Sequence, residues 1–132
     1  MTTPLGSIEI LDRGAGGATG AGGATGAGGA TGAATATAGS GASRVVTVRR
    51  RTRETDITVR VDLDGSGRAA VATGVGFYDH LLTSLAHHSL VDIEITAAGD
   101  LEVDDHHTVE DVALVLGAAI AEALGERAGI RR

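Results

Sequence analysis

Apolar positions follow two rhythms between residues 44 and 132 and none before them. Ile57, Val59, Val61 and Leu63 alternate with Thr58, Arg60 and Asp62, the period-two signature of a half-buried strand. Val45, Val46 and Val48 lead into Arg49, Arg50 and Arg51, a strand start with a heavily charged end. Asp64-Gly65-Ser66-Gly67 reads as a hairpin turn and Arg68 to Thr73 as its returning strand. From Phe77 to His88 the spacing becomes helical, with Phe77, Leu81, Leu82 and Leu85 forming an apolar stripe. Val91, Ile93 and Ile95 alternate again, Ala98-Gly99 turns the chain, and Leu101 with Val103 reads as a short strand. A long helix then runs from about His106 to Gly125. Its buried face is drawn by Val109, Val112, Ala113, Leu116, Ala119, Ile120 and Ala123, with Gly117 and the alanines admitting a close neighbour. The order β-β-β-α-β-β-α predicts an α+β fold with helices on one face of a mostly antiparallel sheet.

Residues 1–43 are built differently. They hold 13 of the 21 glycines and 11 alanines, and their only charges are Glu9, Asp12 and Arg13. Gly-Ala-Gly-Gly-Ala-Thr begins at Gly14, Gly20 and Gly26, a period too short for a solenoid unit and without a large side chain to bury. Alanine methyls cannot offset the backbone entropy of ordering so many glycines, so 1–43 is expected to be a disordered tail before a domain at 44–132. Met1 to Ile10 lacks the basic start and apolar centre of a signal peptide. No apolar run is long enough for a membrane helix. The absence of Cys excludes disulfides and thiolate metal sites. A net charge of −6 argues against a nucleic-acid partner, since phosphate binding needs a basic surface. A domain of this length has a modest core and is of the size that leans on a partner for burial.

All five histidines lie between His80 and His107. His106 and Glu110 are i, i+4 on the predicted long helix, and His107 and Glu110 are i, i+3, so imidazole and carboxylate can converge on one ion. Adjacent histidines point about 100° apart, which suggests two metals, or one metal and a base. Asp104, Asp105 and Asp111 could accept from the distal ring N–H groups. Alternatively, Asp104 or Asp105 is a helix cap and the remaining acids complement the helix dipole. Capping does not explain the histidine pair, and the positive helix end would help to keep its imidazoles neutral. On the shorter helix, His80 has Asp79 beside it as an orienting carboxylate and shares a face with His88, whereas His87 reads as a surface residue. Thr52-Arg53-Glu54-Thr55 reads on spacing alone as an exposed strand end.

Taken in order, Arg51-Thr52-Arg53-Glu54-Thr55, Leu63-Asp64-Gly65-Ser66-Gly67, the run from Thr73 to His80, the run from Gly99 to Asp111 and the run from Ala123 to Arg132 resemble the imidazoleglycerol-phosphate dehydratase family. The resemblance implies a fold of two similar halves, each with the strand and helix order above and its own His-His-x-x-Glu. This chain resembles the first half only, a truncated form without the second motif. It implies that His80, His106, His107 and Glu110 bind manganese, two Mn²⁺ ions serving a complete site. These ligands, with Glu54, His88 and Arg132, would contact the substrate, Glu54 serving as acid/base and Arg132 binding phosphate. The implied reaction is loss of water from imidazole glycerol phosphate to give imidazole acetol phosphate, in cytoplasmic histidine biosynthesis. Homo-oligomeric shells of twenty-four subunits, with sites between subunits, are implied as well. A second reading is a non-catalytic, metal-binding, self-assembling half-domain. A zinc hydrolase fits less well, because the order is not His-Glu-x-x-His.

Overall fold

The valine and isoleucine alternation builds one apolar sheet face, and the computed structural model, which describes residues 6–14 and 43–131, lays two helices over it. The elements are β1 (Ile8–Asp12), β2 (Val45–Arg51), β3 (Thr55–Asp62), β4 (Ala69–Ala72), α1 (Gly76–Ser89), β5 (Asp92–Gly99) and α2 (His106–Leu124). The sheet order is β1-β2-β3-β5-β4, antiparallel throughout except for β4 on β5. This is the expected α+β class. In register, Val48 pairs with Val59 and Val59 with Ile95, so their side chains stack on one face. Val46, Ile57, Val61 and Ile93 complete that face, and Val112, Val115, Leu116, Ala119 and Ala123 of α2 close over it with Leu82 and Ala86 of α1. The opposite face is ionic, with Arg49 bonded to Asp56 and Arg60 to Glu94.

Five expectations are corrected. Ile8–Asp12 is a strand rather than part of a disordered tail, pairing with β2 through Ile8–Arg50 and Ile10–Val48. All five of its residues are exposed, so burial contrast gave no sign of it; the rest of the repeat region lies outside the described residues. Arg68–Thr73 does not return alongside β3. Asp92 accepts from the backbone N–H of Ser66 and Arg68, Ile93 N–H donates to the Arg68 carbonyl, and β4 is drawn to the far side of β5. The eight-residue β5, with buried Ile93 and Ile95, takes the place beside β3, where it covers more apolar surface than Ala69–Ala72 could. Leu101 and Val103 form a turn instead of a strand, closed by Val103 N–H to the Asp100 carbonyl at 2.8 Å. The stripe on α1 is mostly uncovered: Leu82 is buried, but Phe77 is 74% exposed and Leu81 and Leu85 are open. On α2, Ala113 and Gly117 are also exposed, while Val115 is buried.

Candidate functional site

The first turn of α2 gathers most of the chemistry. Asp104 Oδ1 accepts from His106 N–H at 2.8 Å, and the Asp105 carbonyl accepts from Val109 N–H. Asp104 therefore secures the helix start by an Asx-type bond, and the Asp105 side chain makes no capping bond. One turn of helix brings His106 Nε2 and Glu110 Oε2 within 3.4 Å, both side chains largely open to solvent. The His106 and His107 rings lie edge to face, centroids 5.8 Å apart and planes 61° apart, so the two imidazoles aim in different directions.

His107 finds its carboxylate in Asp100, a residue the sequence reading passed over. Nδ1 and Asp100 Oδ2 are 2.9 Å apart. An ionised carboxylate only accepts, so Nδ1 carries the hydrogen and Nε2 is left on the far side of the ring from this bond. This bond, then the Asp100 charge, raises the His107 pKa, and the charges of Glu54 and Asp104 add to it. The nearby acids thus favour the charged ring, whereas the helix end was expected to favour the neutral one. Asp100 reaches His107 because the 101–103 turn folds the chain back, with Leu101 lying over Gly74. Gly99 has no Cβ, and one would meet Thr108 Oγ1 at 1.9 Å, so glycine there lets the turn seat against α2.

Asp111 is not an acceptor for histidine. It is buried, paired with Arg50 and bonded to the Thr55 hydroxyl. Asp79 is likewise engaged elsewhere, accepting from both N–H and Oγ1 of Thr73 at the entrance to α1. Tyr78 donates to the Val109 carbonyl at 3.4 Å and joins the first turns of the two helices. His80, about 200° further around α1 than Tyr78, is exposed, and among the described residues it completes no three-ligand group with the α2 cluster. His88, in the last turn of α1, is exposed and edge to face with His87, centroids 5.6 Å apart. Glu54 is exposed on the β2–β3 turn, close enough for its charge to act on His107. Arg132 lies outside the described residues.

The donor chemistry suits a divalent cation in part. His106 and Glu110 offer two donor atoms 3.4 Å apart, and His107 is an imidazole oriented by a carboxylate, the usual support for a metal-binding histidine. Among the described residues, no group of three or more His, Asp or Glu gathers as a metal cage, so the cluster is a partial ligand set.

Comparison with known proteins agrees with the motifs. The profile of the family described as imidazoleglycerol-phosphate dehydratase matches residues 73–132. Curated proteins bearing that name are similar to this chain across its larger part. The one from Chlorobium luteolum is 58% identical over 95 residues, 72% of this chain and 48% of its own length. That of Methylibium petroleiphilum is 61% identical over 90 residues, 68% of this chain and 45% of its own. That of Methanopyrus kandleri is 62% identical over 89 residues, 67% of this chain and 44% of its own. The chain spans about half the length of the curated relatives it matches.

Proposed function

The chain belongs to the imidazoleglycerol-phosphate dehydratase family, and from that premise we propose that it supplies one portion of an enzyme that dehydrates imidazole glycerol phosphate to imidazole acetol phosphate. A cytoplasmic place in histidine biosynthesis and association into a large homo-oligomer belong to the same reading. The observation that carries it is the α2 N-terminus, where His106 and Glu110 pair across one turn and Asp100 orients His107. His106, His107 and Glu110 would hold manganese, with His80 serving a centre whose other donors come from another chain or segment. Manganese, when bound, supplies Lewis acidity toward the imidazole ring and the departing hydroxyl.

The remaining work falls to the chain's own groups. Dehydration breaks one C–O and one C–H bond, and the C–H proton needs a base. Glu54 offers an exposed carboxylate oxygen beside His107 to take it. His107, its Nδ1 hydrogen committed to Asp100, presents Nε2 in a fixed direction. His88 would touch the substrate. A guanidinium at Arg132 suits its phosphate, through paired N–H donors.

The test is to follow imidazole acetol phosphate formation, with Mn²⁺ present, for the chain alone and for the chain mixed with the portion of a curated relative that it does not match. No measurable turnover is expected alone and some in the mixture, because a partial ligand set and a misplaced contact each lower rates by orders of magnitude. Robust turnover by the chain alone would favour self-pairing, and failure of both would favour the non-catalytic metal-binding module.

A further inference from the structure

We propose that Asp111 is a positioning residue for Glu54, acting through a one-directional hydrogen-bond relay that is buried at Asp111 and Thr55 and opens to solvent at Glu54; the functional meaning of this rests on the dehydratase reading above. The relay begins with strand parity. Val46, Val48 and Arg50 point to the helix side of β2, and Thr55, Ile57 and Val59 to the helix side of β3. An inward guanidinium must find an acid, and α2 provides one. Asp111 Oδ1 receives Arg50 Nη1, and Asp111 Oδ2 receives Thr55 Oγ1 at 2.5 Å. The Arg50 and Asp111 side chains are only 19% and 11% exposed.

From Thr55 the bonds continue into the turn that carries Glu54. Thr55 Oγ1 lies 3.1 Å from Thr52 Oγ1, which accepts the backbone N–H of Glu54 at 3.1 Å and that of Thr55 at 2.9 Å. Donor accounting sets the direction. An ionised Asp111 can only accept, so the single Thr55 hydroxyl hydrogen goes to it. Thr55 Oγ1 then accepts the Thr52 hydroxyl hydrogen, and Thr52 Oγ1 is left with lone pairs for the two amides. The carboxylate at the end of the chain thereby fixes every hydroxyl in it.

A purely structural role could be filled otherwise, because well-packed apolar side chains often match a buried ion pair in stability. What this arrangement adds is registry. Asp111 follows Glu110 on α2, so one helical turn carries both the metal-facing acid and the anchor of the turn that bears Glu54. The charge of Glu54 acts on His107, one turn earlier on the same helix.

Amide hydrogen exchange on the full chain, read by NMR, tests the relay. Asp111→Asn should speed exchange at Glu54 and Thr55 at least tenfold while the Val59 and Ile95 amides keep their rates. Thr55→Val should do the same and Thr55→Ser should not. Unchanged Glu54 and Thr55 amides in Asp111→Asn and Thr55→Val, or equal acceleration at Val59 and Ile95, would overturn the proposal. Adding Mn²⁺ alone separates this from the dehydratase reading. The wild-type chain should broaden at residues 106–110 and at Glu54, and Asp111→Asn should keep the former and lose most of the latter. Full retention at Glu54 in that variant counts against positioning. Absence of broadening in the wild type counts against the metal reading, with exchange still deciding the relay.

Discussion

Glu110 and Asp111 are neighbours with opposite tasks, because one step along a helix turns a side chain by about 100°. Glu110 faces solvent with His106, whereas Asp111 faces inward to Arg50 and Thr55. The first pairing was legible in the sequence, since i, i+4 spacing is local arithmetic. The second was not, since an acid in a helix does not announce which partner awaits it. The signal was available in β2, where Arg50 shares the inward parity of Val46 and Val48 and so requires a buried acid. Asp100 escaped notice for another reason: its contact with His107 depends on the 101–103 turn, where two apolar residues imitate a strand. Calorimetric titration with Mn²⁺ checks the residue assignments. His106→Ala and His107→Ala should lose most of the heat, Asp100→Ala should weaken binding about 10–100-fold, and His87→Ala should match wild type. Equal loss at His87 would contradict the assignment.

Elements owe their places to single side chains as much as to pattern. The two helices and strands β2, β3 and β5 were all readable from periodicity. The position of β4 was not, because a Gly-rich link suggests a hairpin without saying which strand receives the chain. Asp92 makes that choice. Its burial would raise its pKa, yet the backbone N–H groups of Arg68 and Ser66 and the Arg68 guanidinium prevail and lower it from 3.8 to about 2. A carboxyl with a depressed folded pKa contributes stability that is present above its ordinary value and lost as pH falls through the folded one. Asp92→Asn should therefore be less stable than wild type at neutral pH, by about 2–3 kcal/mol for hydrogen bonds to a charged group. That gap should close between about pH 4 and pH 2. Denaturant unfolding of both proteins across this range measures it, and a gap independent of pH would refute the role given to the charge.

At the scale of the molecule, the sheet is open at both borders among the described residues, and apolar groups remain uncovered on the helix side. Phe77, Leu81, Leu85 and Leu114 are exposed in the single chain, because α1 meets the core through buried Leu82 and Ala86 and half-buried Tyr78. The period of the α1 stripe announced a helix but could not say how much of it this chain covers. The N-terminal border shows the opposite failure of pattern: composition hid a strand that pairing with β2, Arg50 Nε to the Gly6 carbonyl and Arg13 with Glu122 hold in place. Removing residues 1–43 should lower Tm by about 4–8 °C, the shift that about 1 kcal/mol makes in a domain of this size. A melting curve unchanged by the deletion would show that β1 adds nothing. The misfit in β1 has its own consequence. Ile10 faces Val48 and Asp12 faces Thr47, so Leu11 is an extra residue that breaks the ladder. The outer rim therefore offers another chain three consecutive in-register residues, Ile8 to Ile10, and the opposite border, β4, offers four. Fibril zippers need segments of about six or seven. Among the described residues neither rim is long enough to seed one, and so both borders of the sheet are kept from polymerising edge to edge.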